Sequence, residues 1–273
     1  MSATPSLSPG ARRRAAALLL AARRACRPIP ALPEGCRPGG LAEAYAIQES
    51  YLAASGATLA GFKVAATNRK VQDLLGIEGP FSGCLFRERV HDSPAELAAG
   101  DFAFRLIEPE FAFRLGADLP ARDAPYDRGE VGQAVASLHP AFEVVTSAYG
   151  AAWTGLSAPA LVADNAIHGA FVPGRGVAGP GVSDWRGLDL AAHPVTLFHN
   201  GTEAGRGQGA NALGHPLNAL AWLADQGVLG GRGLKAGDLV TTGLVTPFVY
   251  AEPGDELRAD FGELGEVRLR FTD

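Results

Sequence analysis

The sequence predicts an α+β fold, a helical N-terminal portion followed by a β-rich body with few helices. Two observations carry that expectation. Before Gly61, apolar side chains recur every three or four positions, as in Ala15, Leu18, Leu19, Ala22, Ala25 and Cys26, the period of an amphipathic helix. After Gly61, glycine and proline punctuate short apolar runs, the texture of closely spaced strands.

In chain order, residues 1–10 carry Ser and Pro without periodicity and are expected to be a loose tail. The first helix follows, then a Pro- and Gly-rich loop over Pro28–Gly40, then a second helix with Leu41, Ala44, Ile47 and Tyr51 on one face. Residues 1–90 form the mainly helical portion and residues 91–273 the β-rich body, acting as one catalytic unit. A helix is expected from about Pro216, which suits a first turn, to Gln226, with Gly227 suited to its end. The last stretch is a hairpin. Leu257, Ala259 and Phe261 alternate with charged residues before the turn Gly262–Gly265, and Val267, Leu269 and Phe271 alternate with them after it.

Composition excludes several classes. The chain has 273 residues, 47% apolar and 19% charged, a globular balance with length enough for a sizeable core. Its net charge of −5 argues against a nucleic-acid partner, which needs a concentrated basic field. Basic residues cluster at Arg12–Arg14 and Arg23–Arg24, where a helix face accounts for them. Cys26, Cys36 and Cys84 form neither a disulfide framework nor a zinc pattern. The apolar run Ala15–Ala22 is closed by Arg23–Arg24 where a leader's cleavage site would fall, and nothing approaches the roughly 20 apolar residues of a membrane span. A soluble, cytoplasmic protein is expected.

Chemistry concentrates in a few lone charges. In Ile107-Glu108-Pro109-Glu110-Phe111-Ala112-Phe113, a strand points Glu108 and Glu110 to one side and the apolar residues to the other. The two carboxylates then stand about 7 Å apart along the backbone and repel, unless a hard divalent cation lies between them. Pro109 lacks a donor, which predicts an edge or a sheet end. The bland alternative is a strand with a solvated acidic face. Glu143 is a lone acid in Pro140-Ala141-Phe142-Glu143-Val144-Val145; if buried it must be paired, protonated or metal-bound, and otherwise it faces solvent. Three oxygen ligands suit Mg²⁺ or Mn²⁺. Lys63, in Gly61-Phe62-Lys63-Val64-Ala65-Ala66, is either a proton carrier near that metal or a strand lysine with its head in water. His168 is a candidate substrate contact, and His215, before Pro216, reads as structural. Gly205-Arg206-Gly207-Gln208-Gly209 imitates a phosphate loop, but no Lys-Ser/Thr follows, so a turn is expected.

These segments, in this order, resemble a known family. Gly61-Phe62-Lys63, Ile107-Glu108-Pro109-Glu110, Pro140-Ala141-Phe142-Glu143, Ala163-Asp164-Asn165-Ala166, Asn200-Gly201, Leu213-Gly214-His215-Pro216 and Leu234-Lys235-Ala236-Gly237-Asp238 are similar to the 2-oxopent-4-enoate hydratases. Those enzymes, with the related 4-oxalocrotonate decarboxylases, belong to the fumarylacetoacetate hydrolase superfamily. The resemblance spans residues 12–271. It implies the superfamily's β-rich fold (a mixed β-sandwich or barrel), an Mg²⁺ or Mn²⁺ site, a small 2-oxo or dienol carboxylate substrate, and a homo-oligomer or an assembly with a decarboxylase-type partner. By position, Glu108, Glu110 and Glu143 fall on the metal ligands and Lys63 on an active-site lysine. Departures cluster around that site: Phe81 stands where an acid is usual, Thr146 where Asp is usual, and His168 and Leu244 where Ser is common. Phe81, His168 and Leu244 are accordingly the expected substrate contacts, in a pocket drier than the family's. The implied activity is hydration of a 2-hydroxydienoate by enolate stabilisation. Its rivals are decarboxylation or C–C hydrolysis of a related 2-oxo acid, or a catalytically weak paralogue that assembles with an active subunit.

Overall fold

The computed structural model describes residues 7–178 and 184–273. Of the tail expected over residues 1–10, residues 1–6 lie outside the described residues, and a helix begins at Pro9. This helix, α1 (Pro9–Arg24), is capped by the Ser8 hydroxyl, which accepts from the Ala11 N–H at 3.2 Å. It buries Ala15, Ala16, Leu19, Leu20 and Ala22. Helix α2 (Leu41–Ser55) buries Ala44, Ile47 and Tyr51 of the face its periodicity marks, while Leu41 in its first turn is 40% exposed. Shorter helices follow, among them α3 (Arg69–Leu75), α4 (Arg128–Ala134), α5 (Ala158–Ala163) and α6 (Pro216–Asp225). Pro216 opens α6 as expected, and the His215 ring caps it by accepting from the Leu217 N–H at 3.1 Å. Helix α1 packs on α2, and α2 on α5.

The strands are β1 (Leu59–Ala65), β2 (Phe81–Phe86), β3 (Ala95–Ala98), β4 (Leu106–Leu115), β5 (Val135–Val145), β6 (His168–Pro173) and β7 (Val177–Ala178). They continue with β8 (Pro194–His199), β9 (Thr202–Gln208), β10 (Leu239–Thr241), β11 (Val249–Tyr250), β12 (Glu256–Asp260) and β13 (Glu266–Thr272). One sheet runs β2-β1-β10-β4-β5-β6, with β11 pairing β4 and β7 pairing β5; the other runs β3-β13-β12-β8-β9. The β12–β13 hairpin pairs Leu257 with Leu269 and Ala259 with Val267, all four buried, as the alternation requires. Between the sheets, Phe111 of β4 meets Phe261 edge-on with ring centroids 5.1 Å apart, a favourable aromatic geometry. The helix-then-strand order of the sequence reading holds, with β1 and β2 already part of the larger sheet.

Two local expectations need correction. Strand β4 is no edge: β10 and β5 flank it. The Pro109 carbonyl accepts from the Val245 N–H at 3.0 Å, so the proline nitrogen faces the same side, where the chain between β10 and β11 departs from regular pairing. The missing donor falls where no ladder partner requires it. Residues 205–208 lie in β9, paired antiparallel with β8, rather than in a turn. Arg23 lies on α1 as read, and its side chain turns inward. Its side chain is 13% exposed and its Nε binds Asp164 at 2.6 Å.

Candidate active site

Register puts the acids together. Glu108 and Glu110 leave the same face of β4, and Glu143 of β5 stands directly opposite Glu108 in the antiparallel ladder. Like charges in that relation repel, and here the sheet face is buried: Glu110 and Glu143 have no exposed surface. One carboxylate oxygen from each of Glu108, Glu110 and Glu143 lies within 4.8 Å of the others. Lys63 enters from β1, two strands away from β4. Its Nζ sits 3.0 Å from Glu143 Oε2 and donates to the Ala166 carbonyl at 3.1 Å. It too is buried, so neither bland reading of Lys63 and Glu143 as solvated strand charges survives.

The electrostatics are those of an overloaded cluster. Burial, then the charge of Glu143, pushes Glu108 up to about 7, and burial with both neighbouring acids holds Glu110 well above the ordinary carboxylate range. Burial also works to raise Glu143, but the Lys63 ammonium and the His168 ring outweigh it and hold that carboxylate low. For Lys63, burial opposes the charge, and the three acids more than compensate. One ammonium cannot offset three ionised acids, which is why Glu108 and Glu110 hold their protons so tightly, and Glu110 Oε1 has no hydrogen-bond partner. Its other oxygen accepts from the Thr241 hydroxyl and from the Gly243 N–H at 2.7 Å. An all-oxygen donor set with an unspent buried oxygen fits a hard divalent cation.

An apolar cavity opens from this cluster. Lys63 and Glu108 line it together with Phe81, Trp153, Leu244 and Phe248. Phe81 and Leu244 therefore stand in one wall system with the cluster. His168 does not line this cavity. Its Nδ1 lies 2.9 Å from Glu143 Oε1, so it touches a candidate ligand, and burial keeps its ring below its ordinary value. Thr146 lies elsewhere too, with its carbonyl accepting from Arg23 at 3.0 Å. Sequence reasoning passed over Thr241, Gly243 and Thr67, which also lines the cavity; a hydroxyl and a glycine N–H carry no signal until the fold aims them.

Comparison with known proteins fits this geometry. The family model described as fumarylacetoacetate (FAA) hydrolase C-terminal matches residues 94–272. The chain belongs to the fumarylacetoacetate hydrolase family. Among its relatives in that family is a 2-keto-4-pentenoate hydratase of Paraburkholderia xenovorans (strain LB400), 33% identical over 97% of this chain and 96% of the relative. A 2-hydroxyhexa-2,4-dienoate hydratase of Comamonas testosteroni is 34% identical over 81% of each chain. The structure of 4-oxalocrotonate decarboxylase from Pseudomonas putida G7, complexed with magnesium and adipate, superposes with a TM-score of 0.88 at 26% identity, covering 98% of this chain and all of that one. No helix among the described residues is long and apolar enough to cross a membrane.

Proposed function

We propose that this family member is a divalent-metal-dependent hydro-lyase of the 2-keto-4-pentenoate hydratase type, adding water to a small 2-hydroxydienoate. The observation that carries the reading is the convergence of Glu108, Glu110, Glu143 and Lys63 at one end of an apolar cavity. The names of relatives that align over nearly the whole chain support hydration in particular. Glu108, Glu110 and Glu143 would hold Mg²⁺ or Mn²⁺, which supplies a Lewis acid that stabilises the negative charge of an enolate. Lys63 carries the proton. Its ammonium would give a proton to the carbon skeleton and be restored by the proton of the C2 hydroxyl, after which water adds across the conjugated alkene. Glu143 holds the ammonium in place for that transfer. Phe81 and Leu244 line the path of the substrate's tail and keep it dry, while His168 acts on Glu143 rather than on the tail.

Decarboxylation or C–C hydrolysis remains the second reading. It is favoured by the close superposition on the decarboxylase and by Phe81, which brings no acid into the cavity. Ultraviolet loss of a dienol substrate, followed with and without Mg²⁺ or Mn²⁺ alongside CO₂ detection, separates the two. Metal-dependent loss without CO₂ is expected. Release of CO₂ would move the assignment to the decarboxylase reading, and loss indifferent to chelator would end the metal reading. Light scattering of the purified chain, alone and with a decarboxylase-type subunit, reads the homo-oligomer that the family resemblance implies.

A further inference from the structure

One hydroxyl in the cavity has nothing to bond. Thr67 follows β1, lines the cavity and is 2% exposed. Its Oγ1 is fully buried without a hydrogen-bond partner. An unbonded buried hydroxyl opposes folding, so something other than stability accounts for it.

Its surroundings say what it faces. A Cβ placed on Gly243 would stand 2.0 Å from Thr67 Oγ1, so the absence of a side chain at 243 is what leaves room for the hydroxyl. The N–H of the same Gly243 donates to Glu110 Oε2. The hydroxyl therefore lies one residue away from the carboxylate cluster, at the oxygen-binding end of the cavity. Other polar groups in the lining are committed or less well placed. Lys63 is held by Glu143 and the Ala166 carbonyl, and Asn68 Oδ1 accepts from the Val71 N–H. Trp153 Nε1 is also unbonded but has no such tie to the carboxylates. Phe81 and Leu244 offer no donor at all.

We infer that Thr67 Oγ1 is a substrate-binding donor, hydrogen-bonded to the carboxylate of a 2-oxo acid seated at the Glu108–Glu110–Glu143 cluster. The inference rests on the function proposed above and adds a residue to it. It also predicts an unusual pairing of effects. Thr67→Val keeps the shape and removes the unbonded hydroxyl, so the ligand-free protein becomes no less stable while its ligand affinity falls.

The test uses oxalate as the stand-in for the 2-oxo acid head. Mn²⁺, then oxalate in the presence of saturating Mn²⁺, is titrated calorimetrically into the wild type, Thr67→Val and Thr67→Ser, with melting curves of each ligand-free protein. Mn²⁺ affinity is expected to be the same in all three. Oxalate binding is expected to weaken about tenfold or more in Thr67→Val, the loss typical of a hydrogen bond to a charged group, and to be largely restored in Thr67→Ser. Undiminished oxalate affinity in Thr67→Val overturns the inference alone, because the hydroxyl then meets only water. A Thr67→Val protein that melts earlier or fails to fold overturns it as well, by giving the hydroxyl a structural bond. A wild type that binds Mn²⁺ but not oxalate removes the proposed function, and this inference with it.

Discussion

Two buried groups of charge among the described residues are built oppositely. In the first, Arg23 of α1 binds Asp164 Oδ1 and the carbonyls of Thr146, Asp164 and His168. Asp164 Oδ2 accepts from the Ser147 hydroxyl and the Ala148 N–H. Opposite charges match one to one, and four of the five guanidinium N–H donors and both Asp164 oxygens are hydrogen-bonded. In the second, three carboxylates face one ammonium, and Glu110 Oε1 is bonded to nothing. Burial alone therefore does not mark a functional charge. The mark is burial that the neighbours fail to compensate, since folding otherwise selects against it. The closed group also serves the open one: Arg23 fixes the backbone of His168, whose ring holds Glu143.

Breaking the open group is expected to have the largest consequence. Glu143→Gln or Glu108→Gln should abolish Mn²⁺ binding and metal-dependent turnover while the fold persists, because each change also relieves repulsion across the β4–β5 ladder. Calorimetric Mn²⁺ titration beside circular dichroism checks both halves, and unchanged affinity in both variants would dismiss these acids as ligands. Next comes Lys63→Met. Loss of a proton carrier lowers kcat by about 10²–10⁴-fold with little change in metal affinity; turnover within a few-fold of wild type would leave Lys63 a counter-ion only.

The closed group should answer in stability instead. Asp164→Ala leaves the Arg23 guanidinium buried without its partner, a loss of about 3–5 kcal/mol to be read from urea unfolding. A loss below about 1 kcal/mol, the worth of an exposed pair, would show that Arg23 escapes to water. The smallest effect belongs to a surface knot. Burial works to raise Asp255, but the Glu252 N–H, Asn200 and His199 outweigh it and hold its carboxyl below the ordinary value. A depressed folded value means stability that is present above the unfolded carboxyl value of about 3.9 and lost as pH falls through the folded one. Asp255→Asn should therefore flatten the acid limb of stability against pH, and identical limbs in variant and wild type would count against it.

Much of the open group was legible because its residues break local pattern. An acid inside Ala141-Phe142-Glu143-Val144 and a lysine inside Phe62-Lys63-Val64 conflict with burial, and a conflict of that kind can be seen in one dimension. The alternation of the terminal hairpin and the helical period of α1 were readable for the same reason. What escaped depends on contacts made far along the chain. Arg23 looks like any helix-end arginine until α1 is laid against Asp164, 141 residues away. Pro109 signalled an edge because a missing donor normally needs one, and nothing local to it shows the irregular β10–β11 passage that absorbs the gap. Thr67 and Thr241 are ordinary threonines whose importance lies entirely in what their hydroxyls face.

The turn behind Lys63 has a consequence for how that amine works. Asn165, Ala166 and Ile167 are three successive non-glycine residues with positive φ, at 53°, 51° and 54°, a conformation that side chains resist. It is held by the Asn165 amide, which exchanges hydrogen bonds with the Cys84 backbone at 2.8 and 2.9 Å. It also needs the bare Cα of Gly83, where a Cβ would stand 2.7 Å from the Asn165 carbonyl oxygen. That turn presents the Ala166 carbonyl to Lys63 Nζ. The lysine, the longest and loosest of charged side chains, is thus clamped at its tip between a strand carboxylate and a carbonyl that cannot swivel. Its orientation is set by these contacts in the ligand-free protein, so under the proposed mechanism no reorganisation of the amine stands between binding and proton transfer. The position of Nζ thus depends on Gly83 and Asn165, which do not themselves touch the amine.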